Sequence, residues 1–197
     1  NAPGAWHFMI SYTQKSGRAS ALAEKLHASL TNLGFTVWLD IYMKDKSEAA
    51  MEEAVNNSMV MLAVITGDGP DDVNAYFNRP FCVSEVRWRV VAGKHLQPVV
   101  HADDKTRIGE FVGMAPDDLK KIGGIDFVDL NTSDADYWKI GLKKMVEKAV
   151  DAGALPAPRG VAGSARWRRP SMRPAPKQRA DDKTALVVHE AGAFTEA

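Results

Sequence analysis

The sequence predicts an α/β fold, a five-stranded parallel sheet with helices on both faces. Three observations lead there. Strand-like apolar runs alternate five times with helix-like stretches, and such alternation builds parallel sheets from crossover units. The third run, residues 59–66, is the most apolar in the chain, as expected of a central strand covered on both sides. Gly34 and Gly93 each follow a helical stretch, where a glycine commonly closes the last turn.

Taken in order, Phe-Met-Ile-Ser-Tyr at residues 8–12 is the first strand. A Ser-Gly turn follows, then Leu22, Leu26, Leu30 and Leu33, spaced to share one helix face. Residues 35–40 form a second strand ending on Asp40, and residues 41–46 a loop. Residues 48–57 form a short helix with Met51, Ala54 and Val55 inward. Residues 59–66 are the third strand. Residues 67–78, rich in Gly, Pro, Asp and Asn, are loop. Pro80 opens the next helix, a position where its missing N–H leaves nothing unsatisfied; the helix runs to about Ala92. Residues 95–101 and 125–130 are the last two strands, with loop and a short helix between them. Ser133 or Asp134 caps a final helix whose stripe is Trp138, Leu142, Met145 and Ala149. In such sheets ligands bind beyond the carboxyl ends of the strands. That singles out residues 11–16, 40–46 and 66–78.

The 197 residues, 45% of them hydrophobic, suffice for one domain with a sizeable core and an extension. The expected domain spans residues 6–150. Residues 151–197 differ in character: eight basic residues stand against five acidic ones, and five prolines lie between Pro156 and Lys177. This reads as a flexible tail or linker, with residues 185–188 as a short strand and the start of a further domain. Its basic run, Arg166-Trp-Arg-Arg169 with Arg173, Lys177 and Arg179, offers a contact to nucleic acid or an anionic membrane; a solubilising linker is the plainer reading. Cys82 is the one cysteine, which fits a reducing, cytoplasmic setting, and no apolar run reaches bilayer-spanning length.

The helix opened by Pro80 carries a carboxylate of interest. At about 100° per residue, Val83, Val86 and Val90 share one side, the natural sheet-facing side. Phe81, Glu85, Trp88 and Ala92 share the opposite side, which sets Glu85 between two aromatic residues. A solvated helix glutamate is the plainer reading of that pattern.

Four segments in order resemble one known family. Residues 8–12 look like the first strand of Toll/interleukin-1 receptor (TIR) domains, and Val37-Trp-Leu-Asp40 is similar to their second. Phe81-Cys-Val-Ser-Glu85 resembles the motif in which an aromatic residue and a cysteine precede a glutamate. Lys94-His-Leu-Gln-Pro-Val-Val100 fits their fourth strand. The resemblance implies a flavodoxin-like fold and two classes of function. Some members are enzymes that cleave the nicotinamide–ribose bond of NAD+; others are signalling adaptors that work through TIR–TIR contacts. Adaptors often lack the glutamate that stands here as Glu85, so its presence favours a hydrolase or cyclase acting in immune or cell-death signalling after self-association. The resemblance makes Glu85 the catalytic carboxylate. Phe81 or Trp38 then stacks on a ring of the substrate, with core packing the competing reading for Trp38. Lys15 and the Ser16–Gly17 turn receive phosphate oxygens, and Ser11, Tyr12 and Asp40 complete the substrate site. NAD+ is the substrate, and no cofactor or metal is implied. The loop after the second strand departs from the family pattern: Ile41-Tyr-Met-Lys-Asp-Lys46 has no glycine.

Alternatives on related folds fit less well. There is no GxGxxG or P-loop spacing. The five histidines show no metal-ligand spacing. A receiver domain needs acids after its first and third strands, where this chain has Ser11-Tyr12 and Thr66-Gly67.

Overall fold

The computed structural model describes residues 5–69 and 72–157. The five strands are β1 (Trp6–Ser11), β2 (Val37–Trp38), β3 (Ser58–Val64), β4 (His95–His101) and β5 (Val128–Leu130). They form one sheet in the order β2-β1-β3-β4-β5, with every pairing parallel. Five helices connect and follow them: α1 (Gly17–Asn32), α2 (Glu48–Asn57), α3 (Pro80–Val91), α4 (Ile108–Gly113) and α5 (Ala135–Asp151).

Alternation along the strands divides the core into two layers. Phe8 and Ile10 on β1, with Val60, Leu62 and Val64 on β3, face α1 and α5, where Leu22, Leu26, Leu30, Trp138, Leu142 and Met145 pack. Met9, Met61, Ala63 and Ile65 face the opposite layer, built from Val55, Val83, Val86 and Phe111 on α2, α3 and α4. Residues Val60 to Ile65 are wholly buried, as the sequence expects of the central strand.

Helix ends follow from local chemistry. The Ser16 hydroxyl accepts from the Ala19 N–H at 3.1 Å and starts α1; the Asp134 carboxylate accepts from the Asp136 and Tyr137 N–H groups at 2.9 Å and starts α5. Gly34 and Gly93 take φ of 89° and 61° just past α1 and α3, the left-handed conformation that ends a helix. Gly141 lets α5 lie close on β5: a Cβ there would stand 2.5 Å from Leu130 Cδ2.

Several boundaries move, among them the start of the fifth strand, at Val128 instead of residue 125. Leu33 lies one residue past α1 and is exposed, so it leaves the leucine stripe. The second strand shrinks to two residues. Thr36 O takes both the His7 and Phe8 N–H groups, so the regular ladder starts only at Val37, and a 3-10 turn begins at Asp40. At the other end Leu155, five residues beyond the expected boundary, is 3% exposed and packs into the α1–α5 layer. The basic run and residues 185–188 lie outside the described residues.

A buried cation ties one edge of the sheet together. Arg89 of α3 is fully enclosed and donates to Val55 O at 2.7 Å, Ser58 O at 3.0 Å, Met59 O at 2.6 Å and His95 O at 2.8 Å. These carbonyls lie at the end of α2 and at the starts of β3 and β4. Burial lowers the guanidinium to about 10, which leaves it charged.

Candidate active site

At the opposite, carboxyl edge of the strands a cleft of about 300 Å³ opens between the ends of β1 and β2 and the first turns of α3. Tyr12 to Lys15 form one wall, Asp40 and Lys46 another, and Arg79 to Cys82 with Glu85 a third.

Glu85 lies at its floor, 6% exposed. Ser11, the last residue of β1, donates its hydroxyl to Glu85 Oε2 at 2.5 Å, and the Tyr76 hydroxyl is 2.5 Å from the same Ser11 oxygen. Burial pushes the Glu85 carboxyl up to about 7; the Ser11 hydrogen bond opposes the rise and the Asp40 charge adds to it. The carboxylate is therefore divided between its two protonation states near neutrality. Tyr12 is also pushed well above the usual phenol range, by burial first and then by Asp40. Asp40 accepts from Gln14 Nε2 and from the Ile41 N–H at 2.8 Å. The Cys82 thiol, next to Glu85 in the wall, donates to Tyr12 O at 3.5 Å, and burial raises it well above its ordinary range.

Of the residues singled out from sequence, Glu85, Tyr12, Lys15, Asp40 and Phe81 line the cleft, and Ser11 stands behind Glu85. Lys15 and Phe81 are exposed at the rim, Phe81 by 55%. Trp38 is elsewhere: it is 3% exposed and packs with Met9, Ala54 and Met61 in the α2–α3 layer, so core packing describes it. Ser16 and Gly17 are engaged differently from the expectation. Asp68, just after β3, accepts from Ser16 Oγ at 2.9 Å, Gly17 N–H at 3.0 Å and Arg18 N–H at 2.9 Å. The start of α1 favours an anion, and a carboxylate from the chain itself fills that seat. The Arg18 N–H and its neighbours hold Asp68 below the usual carboxylate range. Asp68 thereby ties the chain just after β3 to the start of α1. Asp104 reinforces it, accepting from Thr66, from Gly67 N–H at 3.3 Å and from Arg18 and Arg107 at 2.9 and 3.0 Å.

The helical wheel needs a rotation. The line of α3 that faces inward runs through Cys82 and Arg89, with Glu85 and Val86 on either side of it, while Phe81 is exposed. The valine stripe lies at one flank of the buried arc rather than at its centre. Arg79 and Met51 were not found as site residues by sequence reasoning, and Gln14, Lys46 and Tyr76 fell inside the strand-end ranges it singled out without being given a role. For Tyr76 the one available signal was an aromatic pair, Tyr76-Phe77, inside an otherwise polar loop; both rings are buried. Among the described residues, no three His, Cys, Asp or Glu side chains converge to hold a metal ion, and no helix is long and apolar enough to cross a membrane.

Comparison with known proteins agrees with this architecture. A family model described as TIR domain matches residues 8–145. A metazoan TIR-STING receptor from C. gigas, solved in complex with 2',3'-cGAMP, superposes with a TM-score of 0.50 at 16% identity, over 74% of this chain and 40% of that one. This chain thus spans less than half the length of that receptor. The TIR domains of the activated Roq1 resistosome, which directly recognises the pathogen effector XopQ, superpose with a TM-score of 0.50 at 14% identity, over 73% of this chain and 99% of that one. At these identities the likeness is one of fold. No curated protein sequence matches the chain.

Proposed function

Because this chain belongs to the TIR domain family, we propose that it cleaves the nicotinamide–ribose bond of NAD+, with Glu85 as the catalytic carboxylate. The observation that carries this reading is Glu85 itself: a carboxylate at the floor of a cleft at the strand ends, hydrogen-bonded through Ser11 and balanced near neutral pH.

The chemistry asks for little more. Nicotinamide in NAD+ is a cationic leaving group. When the C1′–N bond breaks, the electron pair goes to the ring nitrogen and nicotinamide departs neutral, so no acid is required. Positive charge develops on the ribose, and an ionised Glu85 opposes it. Preorganised groups of this kind are typically worth roughly 3–4 kcal/mol in the barrier. Water then adds at C1′ and releases a proton, for which Glu85 is an acceptor in reach of its own midpoint; internal capture by the adenine gives a cyclic product instead. Phe81, exposed at the rim, offers a ring face for stacking. Lys15, Lys46 and Arg79 bring positive charge to the mouth, where the phosphates of a dinucleotide lie best. The activity belongs to immune or cell-death signalling and acts after self-association.

The test is nicotinamide release from NAD+ by concentrated protein, wild type beside Glu85→Gln. Release by the wild type, reduced about 100-fold or more in the variant, supports the reading, and the product distinguishes hydrolase from cyclase. Equal release by both removes Glu85 from the mechanism. No release by either, in crowded or artificially clustered protein, favours a non-catalytic adaptor that acts by TIR–TIR contact.

A further inference from the structure

Glu85 is the end of a buried chain of hydroxyls. Tyr76, Ser11 and Glu85 are 0%, 1% and 6% exposed, and the two links between them are both 2.5 Å. When Glu85 is ionised, the proton directions follow from valence. An ionised carboxylate only accepts, and a serine hydroxyl has one proton to give. Ser11 spends that proton on Glu85, so its oxygen must accept from Tyr76, and Tyr76 is the donor that starts the chain. Tyr76 comes from a separate element, the 3-10 turn Tyr76–Asn78 ahead of α3, and its ring is held edge-on to Phe77 at 5.2 Å. A serine that receives a hydrogen bond is a stronger donor in the next one.

We propose that Tyr76 is a positioning residue: acting through Ser11, it fixes the aim of the Glu85 carboxylate and favours its ionised form. This rests on the reading of Glu85 as the catalytic group. The other groups that face Glu85 do not substitute for it. Asp40, from the segment after β2, disfavours the anion. Cys82, on α3 itself, gives its proton to Tyr12 O. Tyr12 lies beside Asp40, and burial first, then Asp40, keeps its phenol protonated. Lys15, Lys46 and Arg79 line the cleft around Glu85 with no hydrogen bond to it. Ser11 is the hydrogen-bond donor the structure gives to Glu85, and Tyr76 is what orients Ser11.

The experiment is a titration of Glu85 by NMR in protein carrying 13C-labelled glutamate, for wild type, Tyr76→Phe and Ser11→Ala, with Glu85→Gln to assign the signal. Tyr76→Phe keeps the ring and its packing and removes only the first donor. Its Glu85 midpoint is expected to rise by about one pH unit, a tenfold change in the ionisation constant, and Ser11→Ala, which breaks the chain at its second link, should move it the same way. In nicotinamide release, the acid limb of the pH profile should move up by the same amount, with kcat at pH 7 reduced and KM unchanged. An unchanged midpoint in Tyr76→Phe, with Ser11→Ala shifted, overturns the role of Tyr76. If Tyr76→Phe does not fold, an unshifted midpoint in Ser11→Ala overturns the relay and an upward shift supports it. The titration needs no turnover, so a wild type that releases no nicotinamide refutes the proposed function without deciding this inference.

Discussion

Glu85 makes folding stability depend on pH in a direction opposite to most carboxylates. Its midpoint rises from 4.5 to about 7 because burial disfavours the anion. Between those values the folded protein binds more protons than the unfolded chain, so stability falls as pH rises through the window and is fully present below it. The shift corresponds to about 3 kcal/mol. Gln has nearly the same shape and cannot ionise. Urea unfolding of Glu85→Gln should therefore match wild type near pH 4.5 and exceed it by up to about 3 kcal/mol at pH 8. If the two curves fall in parallel, Glu85 is not buried as the structure has it. At this scale the resemblance to TIR sequences singled out Glu85, which lines the cleft. It missed Asp68 at the start of α1 and Tyr76 behind Ser11. Those roles depend on partners 50 and more residues away, which no local pattern encodes.

Among the elements, α3 decides how the site is held. Its amino end carries Glu85 at the cleft, and one turn on Arg89 is locked to the far edge of the sheet through carbonyls of α2, β3 and β4. A buried arginine defeats a hydrophobic wheel, because the wheel scores it as solvent-facing. That is why the valine stripe suggested a face rotated from the real one. The same observation yields a measurable consequence. Arg89→Met removes the guanidinium hydrogen bonds to four buried carbonyls, each typically worth about 1–3 kcal/mol, so thermal unfolding should show a loss of at least about 3 kcal/mol, with Arg89→Lys recovering part of it. A near-neutral Arg89→Met would mean that water or a local shift serves those carbonyls instead. The helices with clean apolar stripes, α1 and α5, needed no such rotation, because the residues on their buried lines are all apolar.

For the whole molecule, the cleft sits at one end of the sheet and its size is the constraint. About 300 Å³ is the lower end of ligand pockets, and a dinucleotide is larger. Under the proposed function, part of the dinucleotide then lies over the rim past Phe81, and a second copy is the proposed cover. Nicotinamide release per mole of protein should thus rise with protein concentration, in step with assembly measured by light scattering; constant specific activity across a hundredfold dilution would show that one copy is sufficient. The alternation of apolar runs by itself determined the fold class, the order of strands and helices along the chain, and the central place of β3, because burial of period-two and period-3.6 patterns is a local property of sequence. Only the tertiary structure decided that β2 is two residues long, that Trp38 belongs to the core, that Asp68 fills the anion seat of α1, and that Tyr76, Ser11 and Glu85 form one chain of hydrogen bonds. Each of these joins residues distant in sequence whose pairing depends on how the sheet brings its strand ends together, and polar contacts of that kind leave no periodic trace in the sequence.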